Sequence, residues 1–127
     1  MGADLMAWNG TEEQYVQEMT HAYIECAVWS STDEHGESMD GLGLPISGSL
    51  RDEAEIECRD FYSENAADLA DMDPGQAGHD FWLTRNGHGA GFWDRGLGEL
   101  GDRLSEAARI YGSVHLTIED GEIVGSV

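Results

Sequence analysis

"GHDFWLTRNGHGAGFWDRG" occupies residues 78–96. It holds Phe-Trp twice and Gly-His twice, and it contains the largest side chains of the C-terminal half. Its local pattern reads as a hairpin. "DFWLT" is a short strand candidate, and Asn86-Gly87 can take the positive φ angles of a tight turn. Phe92-Trp93 would start the return strand. Each Phe-Trp pair would then send one ring to each side of the sheet. Gly87, Gly89 and Gly91 would permit the turn. Arg85 and Arg95 would pair with carboxylates or stack on the indoles. The stretch therefore reads as packing first. Its alternative is a ligand-binding loop built from Trp82, Arg85, Asn86, His88 and Trp93.

Outward from this stretch, the flanks are helical. "TEEQ" at 11–14 has capping-box spacing. Tyr15, Met19, Ala22, Cys26 and Trp29 follow as one apolar stripe, with Gln14, Gln17, Glu18, His21 and Glu25 opposite. This helix should end at Ser30 or Ser31. Residues 31–48 read as an acidic, Gly- and Ser-rich loop. A second helix is expected from Ser49, with Leu50, Ala54, Cys58, Phe61, Asn65, Leu69 and Met72 as its stripe. Asp73-Pro74-Gly75 should stop it. A third helix spans "LGELGDRLSEAARIYG", with Leu97, Leu100, Leu104 and Tyr111 inward and Gly112 as its cap. Val114, Leu116 and Ile118 then alternate with polar residues, and Asp120-Gly121 reads as a two-residue hairpin turn. The fold class is α+β: three helices packed on a small antiparallel sheet, in the order ααββαββ. Residues 1–127 form a single domain, with 1–10 as a flexible arm.

Charge dominates the composition. There are 26 acids against 6 bases, all of them Arg, for a net charge of −20 in 127 residues. Residues 1–77 hold 18 acids and 2 Arg (−16), and residues 78–127 hold 8 acids and 4 Arg (−4). Such a chain repels nucleic acid and anionic membranes and attracts basic surfaces. Uniform salt adaptation or solubilisation would not require the asymmetry. On the second helix, Glu53, Glu57, Asp60, Glu64, Asp68 and Asp71 fall at spacings of three and four, which is one helix face. With Glu18, Glu25, Asp33 and Glu34 they form the candidate partner-binding surface. The expected partner is a basic protein, with no direct nucleic acid and no membrane. The bland alternative is an accessory protein whose acidity serves only solubility in salt.

No catalytic constellation emerges. There is no GxSxG, no P-loop and no Cys-His spacing of a known nucleophile. His79, Asp80, His88 and Asp94 are the densest potential ligands, but they lack the paired spacing of a zinc site. No enzyme activity, metal or cofactor is expected. Cys26 and Cys58 lie on apolar stripes and read as buried free thiols, which suits a reducing cytoplasm. "MGADLMAWNG" has no signal-peptide pattern, and no stretch approaches a membrane span.

The stretch at 78–96, together with "AVWSSTDEHGESMD" at 27–40, resembles a family of small acidic proteins of bacterial phages, prophages and mobile elements. The likeness runs along nearly the whole chain, although this sequence lacks Lys and closes on an apolar "HLTIEDGEIVGSV". The resemblance implies a phage-type setting in the host cytoplasm and carries over no catalytic residue. In that setting the basic partner is expected to be a nucleic-acid-binding host defence complex, such as restriction or CRISPR machinery, met by a DNA mimic.

Overall fold

The computed structural model describes residues 10–88 and 90–126. The arm expected at 1–10 therefore lies almost wholly outside the described residues. Helix α1, Glu12–Ser30, starts on the expected capping box: Gln14 N–H donates to Thr11 Oγ1 at 3.0 Å, and Thr11 N–H to Gln14 Oε1 at 2.9 Å. It is buried on a wider face than its stripe predicts, since Val16, Thr20, Tyr23, Ile24 and Ala27 join Tyr15, Met19, Ala22 and Cys26. Trp29 is instead 66% exposed. A straight helix drifts about 20° per heptad, which turns Trp29 roughly 40° from Tyr15 toward the exposed Glu25.

Helix α2, Gly48–Glu64, is capped by Ser47, whose Oγ accepts from Leu50 N–H at 3.1 Å. The cap is thus two residues earlier than expected. The chain breaks at Asn65, the single polar position in the expected stripe, whose side chain donates to Phe61 O at 2.9 Å. A short helix α3, Ala66–Leu69, follows. Asp73-Pro74 does not end a helix. It opens α4, Pro74–Arg85, with Asp73 as N-cap and proline at the first turn.

The central correction concerns residues 78–96. Gly78 to Arg85 are helical, not a strand. Asn86-Gly87 closes that helix: Gly87, at φ +70°, donates to Thr84 O at 3.2 Å, and His88 N–H donates to Leu83 O at 3.0 Å. These two bonds make a Schellman cap. A left-handed glycine serves a helix end and a hairpin equally well, so the dipeptide was ambiguous. Phe92–Asp94 forms a 3₁₀ turn rather than a return strand. Helix α5, Glu99–Arg109, precedes the one hairpin, β1 (His115–Glu119) and β2 (Glu122–Ser126). Its turn is the predicted one, with Asp120 at φ +52° and Gly121 at +78°. The described residues thus combine five α-helices, not three, with one two-stranded antiparallel sheet, and the order is helices first, hairpin last.

The core forms where α4 packs along α1. A Cβ on Gly78 would lie 2.2 Å from Met19 O, so only glycine allows this approach. Phe81 stacks on Phe61 at 4.4 Å and meets Tyr111 edge-on at 5.1 Å, and Phe92 stacks on Phe61 at 5.7 Å. Trp82 is buried against Tyr23, whereas Trp93 stays 46% exposed. The 31–48 segment is built into the fold. Thr32 bridges Ser38, Met39 is buried, and Ile46 bridges Ile123 of β2. Cys26 and Cys58 are free and buried, as expected. Among the described residues no helix is long and apolar enough to cross a membrane.

Candidate functional site

Of the polar residues of 78–96, Asp80, Thr84 and Arg85 are buried, whereas His88, Asp94 and Arg95 are exposed. The Arg85 side chain has no solvent exposure. It donates to Gly112 O at 2.7 Å, Tyr111 O at 2.8 Å, Tyr23 Oη at 3.1 Å and Glu57 Oε1 at 2.5 Å. Its guanidinium also lies over the Phe81 and Tyr111 rings, at 5.5 and 5.6 Å. The planar fork thus ties α1, α2 and α4 to the carbonyls that follow α5. Asp80, fully buried, is held by Arg95 at 2.8 Å and Gln76 at 3.0 Å. Asn86 donates to Trp82 O and accepts from Val114 N–H, and Trp82 Nε1 donates to Ser30 Oγ. Trp82, Arg85 and Asn86 are therefore tied into the fold, and Trp82 and Asn86, with His88, also line a cleft beside β1. Trp93 and His88 are exposed. Among the described residues no three of His, Cys, Asp and Glu are grouped to hold a metal ion.

The acidic row also divides. Glu57 neutralises Arg85, Asp60 accepts from the Tyr111 hydroxyl, and Asp68 pairs with Arg103 at 2.9 Å. That last pair holds the Asp68 carboxyl below its ordinary range, chiefly through the Arg103 hydrogen bonds. Glu53, Asp60 and Glu64 remain exposed on α2. The row is not one continuous helix face, because the break at Asn65 separates Asp68 and Asp71 from α2.

A different set comes together where α1 meets the α3–α4 junction. Glu18, Glu25 and Asp73 border one shallow depression, and Asp73, Asp71 and Asp68 border the next. Asp73 joins the two into an acidic band. Glu18, Glu25 and Asp71 are exposed, and Glu25 lies 3.4 Å from His21. The second depression is also lined by Met72, Leu97 and Leu100, and by Gln76 and Arg95.

Family models, curated proteins and solved structures contain no match to this chain.

A second feature lies at the other end of α1. A cleft of about 500 Å³ runs between the 32–39 segment and β1, and a neighbouring one shares Thr32, His115 and Leu116 with it. Asp33 and Glu34 stand on its wall. Asp33 Oδ1 accepts from His35 and Glu37 N–H at 2.8 and 2.9 Å, and these bonds, Glu37's first, keep its carboxyl below the usual range. Glu34 lies 3.5 Å from His35. Sequence reasoning singled out Asp33 and Glu34 but missed His115, Thr117 and Thr32. The only signal for His115 and Thr117 was an alternating strand, which does not reveal what faces its free edge, and Thr32 lay in a segment read as loop.

Proposed function

We propose that this protein is a non-enzymatic acidic binder of a basic protein surface, of the kind that nucleic-acid-binding host defence complexes present. One observation carries the reading. Four of the six arginines, Arg59, Arg85, Arg95 and Arg103, are paired with the chain's own carboxylates, while Glu18, Glu25, Asp71 and Asp73 of the band face solvent. The unbalanced charge is therefore displayed on the surface, where it steers a cationic partner. Closely spaced carboxylates on a packed helical scaffold can stand in for the phosphates of a duplex. The likeness of residues 78–96 to proteins of phages and mobile elements supplies the setting.

The contact surface is assigned to the band and the exposed α2 acids Glu53, Asp60 and Glu64, not to Glu57, which is half-buried on Arg85. Capture from a bacterial lysate at about 50 mM salt should yield nucleic-acid-binding proteins, which duplex DNA displaces and about 500 mM salt releases. Glu18→Lys/Glu25→Lys/Asp71→Lys should lose that capture at an unchanged melting temperature. Equal capture by the triple variant refutes the assignment. Capture that ignores both salt and DNA refutes the mimicry.

A further inference from the structure

The fold treats the two edges of the hairpin differently. Ile123 of β2 donates to Pro45 O and accepts from Ser47 N–H, both at 2.9 Å, so the β2 edge is closed. Ile118 lies opposite Ile123, and Leu116 opposite Gly125. In an antiparallel ladder, successive residues turn N–H and C=O alternately toward and away from the partner strand. Ile123 sends both groups away from β1, so Ile118 sends both away from β2, and Leu116 does the same. Among the described residues no backbone group meets them there. Leu116 is only 3% exposed. It nevertheless borders both clefts beside β1.

This open edge faces the cleft. Leu116, Ile118 and Met39 give it apolar lining, and Ile118 is among the few large apolar residues left exposed. Thr32 lines the opposite wall. Its bridge to Ser38 is closed by Asp33 N–H to Glu37 O and Met39 N–H to Ser31 O. That pattern points the N–H and C=O of Thr32 away from Ser38. Asp33 and Glu34 place two carboxylates beside these open backbone groups.

We infer that the outer edge of β1 receives an extended, basic segment of the partner protein, which joins the sheet as a third strand beside Leu116 and Ile118. This rests on the reading that the partner is basic. Main-chain pairing supplies the affinity and register. Alternate side chains of the segment point into the apolar lining, and the intervening Lys or Arg side chains meet Asp33 and Glu34. A second copy of this chain fits poorly, because each copy carries −20.

The test uses the full chain and a peptide of about ten residues alternating Arg and Val, with a twin N-methylated on the amides of one strand face. The twin keeps the charge and removes the donors. Binding of the first peptide should shift the Leu116 and Ile118 amide resonances and slow their hydrogen exchange about tenfold or more. The twin should bind about tenfold more weakly. Ile118→Pro should do the same to the first peptide, since proline is tolerated where the N–H faces off the ladder. Equal binding of both peptides, or binding without protection at Leu116 and Ile118, overturns the edge while leaving the basic-partner reading intact. Failure of both peptides to bind overturns the edge, and the lysate capture then decides separately whether the partner is basic. Protection of β1 that grows with protein concentration alone makes a second copy the occupant and overturns the inference.

Discussion

Glu57→Gln tests whether the second helix carries its charge for the fold or for a partner. The substitution keeps the shape of the side chain and removes the negative charge 2.5 Å from Arg85. The Arg85 guanidinium, with 0% exposure, would remain buried on three neutral oxygens: Gly112 O, Tyr111 O and Tyr23 Oη. Removing one partner of a buried ion pair costs about 3–5 kcal/mol. Glu57 is 32% exposed, so water already screens part of the attraction, and the neutral acceptors and the two aromatic faces remain. The expected loss is therefore about 2–3 kcal/mol. At this chain length each kcal/mol shifts the midpoint by roughly 3–5 °C, so the melting temperature should fall about 6–15 °C. Glu53→Gln, on an exposed position of the same helix, should stay within about 0.5 kcal/mol of the parent. Calorimetric or circular-dichroism melts of the two variants decide the matter. A Glu57→Gln melt indistinguishable from that of Glu53→Gln refutes the structural role of the pair.

Gly78→Ala should destabilise, although alanine in a helix interior is normally favoured over glycine by about 1 kcal/mol. Its methyl would meet Met19 O at 2.2 Å and force α1 from α4, at a cost of about 1–3 kcal/mol or more, and a urea titration with a raised midpoint would refute the close crossing. Burial pushes the Cys26 thiol from 9.0 up to about 11 and the Cys58 thiol up to about 12. Both folded-state values are raised, so the stability they contribute is complete below pH 9 and is lost as pH climbs through 11 to 12. Melts across that window should fall, more steeply than in Cys26→Ala/Cys58→Ala, and a flat alkaline arm would contradict the burial. Both thiols should also resist alkylation at neutral pH until the chain is unfolded, which mass spectrometry reads directly.

Much of the architecture is legible where local chemistry has one solution. The Thr11–Gln14 capping box, the end of α1 at Ser30 and the Asp120-Gly121 turn are all set within a few residues. Of the stripe Leu50, Ala54, Cys58, Phe61, Asn65, Leu69 and Met72, the first four are buried on α2 as the period implies, Leu69 is buried from α3 beyond the break, and Asn65 and Met72 are half-buried. The errors fall where one local pattern has two solutions. Asn86-Gly87 suits a hairpin and a helix cap alike, and Asp73-Pro74 both follows one helix and opens the next. "DFWLT" is apolar and aromatic in a short run, which periodicity alone does not assign. Its helical state follows from packing, since Gly78, Phe81, Trp82 and Arg85 are buried together against α1, α2 and α5.

The candidate site divides along the same line. The sequence by itself determined the sign and excess of the charge, the shortage of cations and the aromatic residues that had to be buried. Those properties belong to residue types, and no arrangement in space removes them. Only the tertiary structure decided which carboxylates are paired within the chain. Glu57, Asp60 and Asp68 are drawn to Arg85, Tyr111 and Arg103 from elements 28, 51 and 35 residues away, while Glu18 and Glu25 of α1 stand near Asp73 of the turn between α3 and α4. Helical spacing reports only which residues share a face. Whether that face meets water or a buried guanidinium depends on contacts across the chain. Residues 78–96 show the same limit: their composition announced a core, and the closure of α4 on α1 decided that it would be helical.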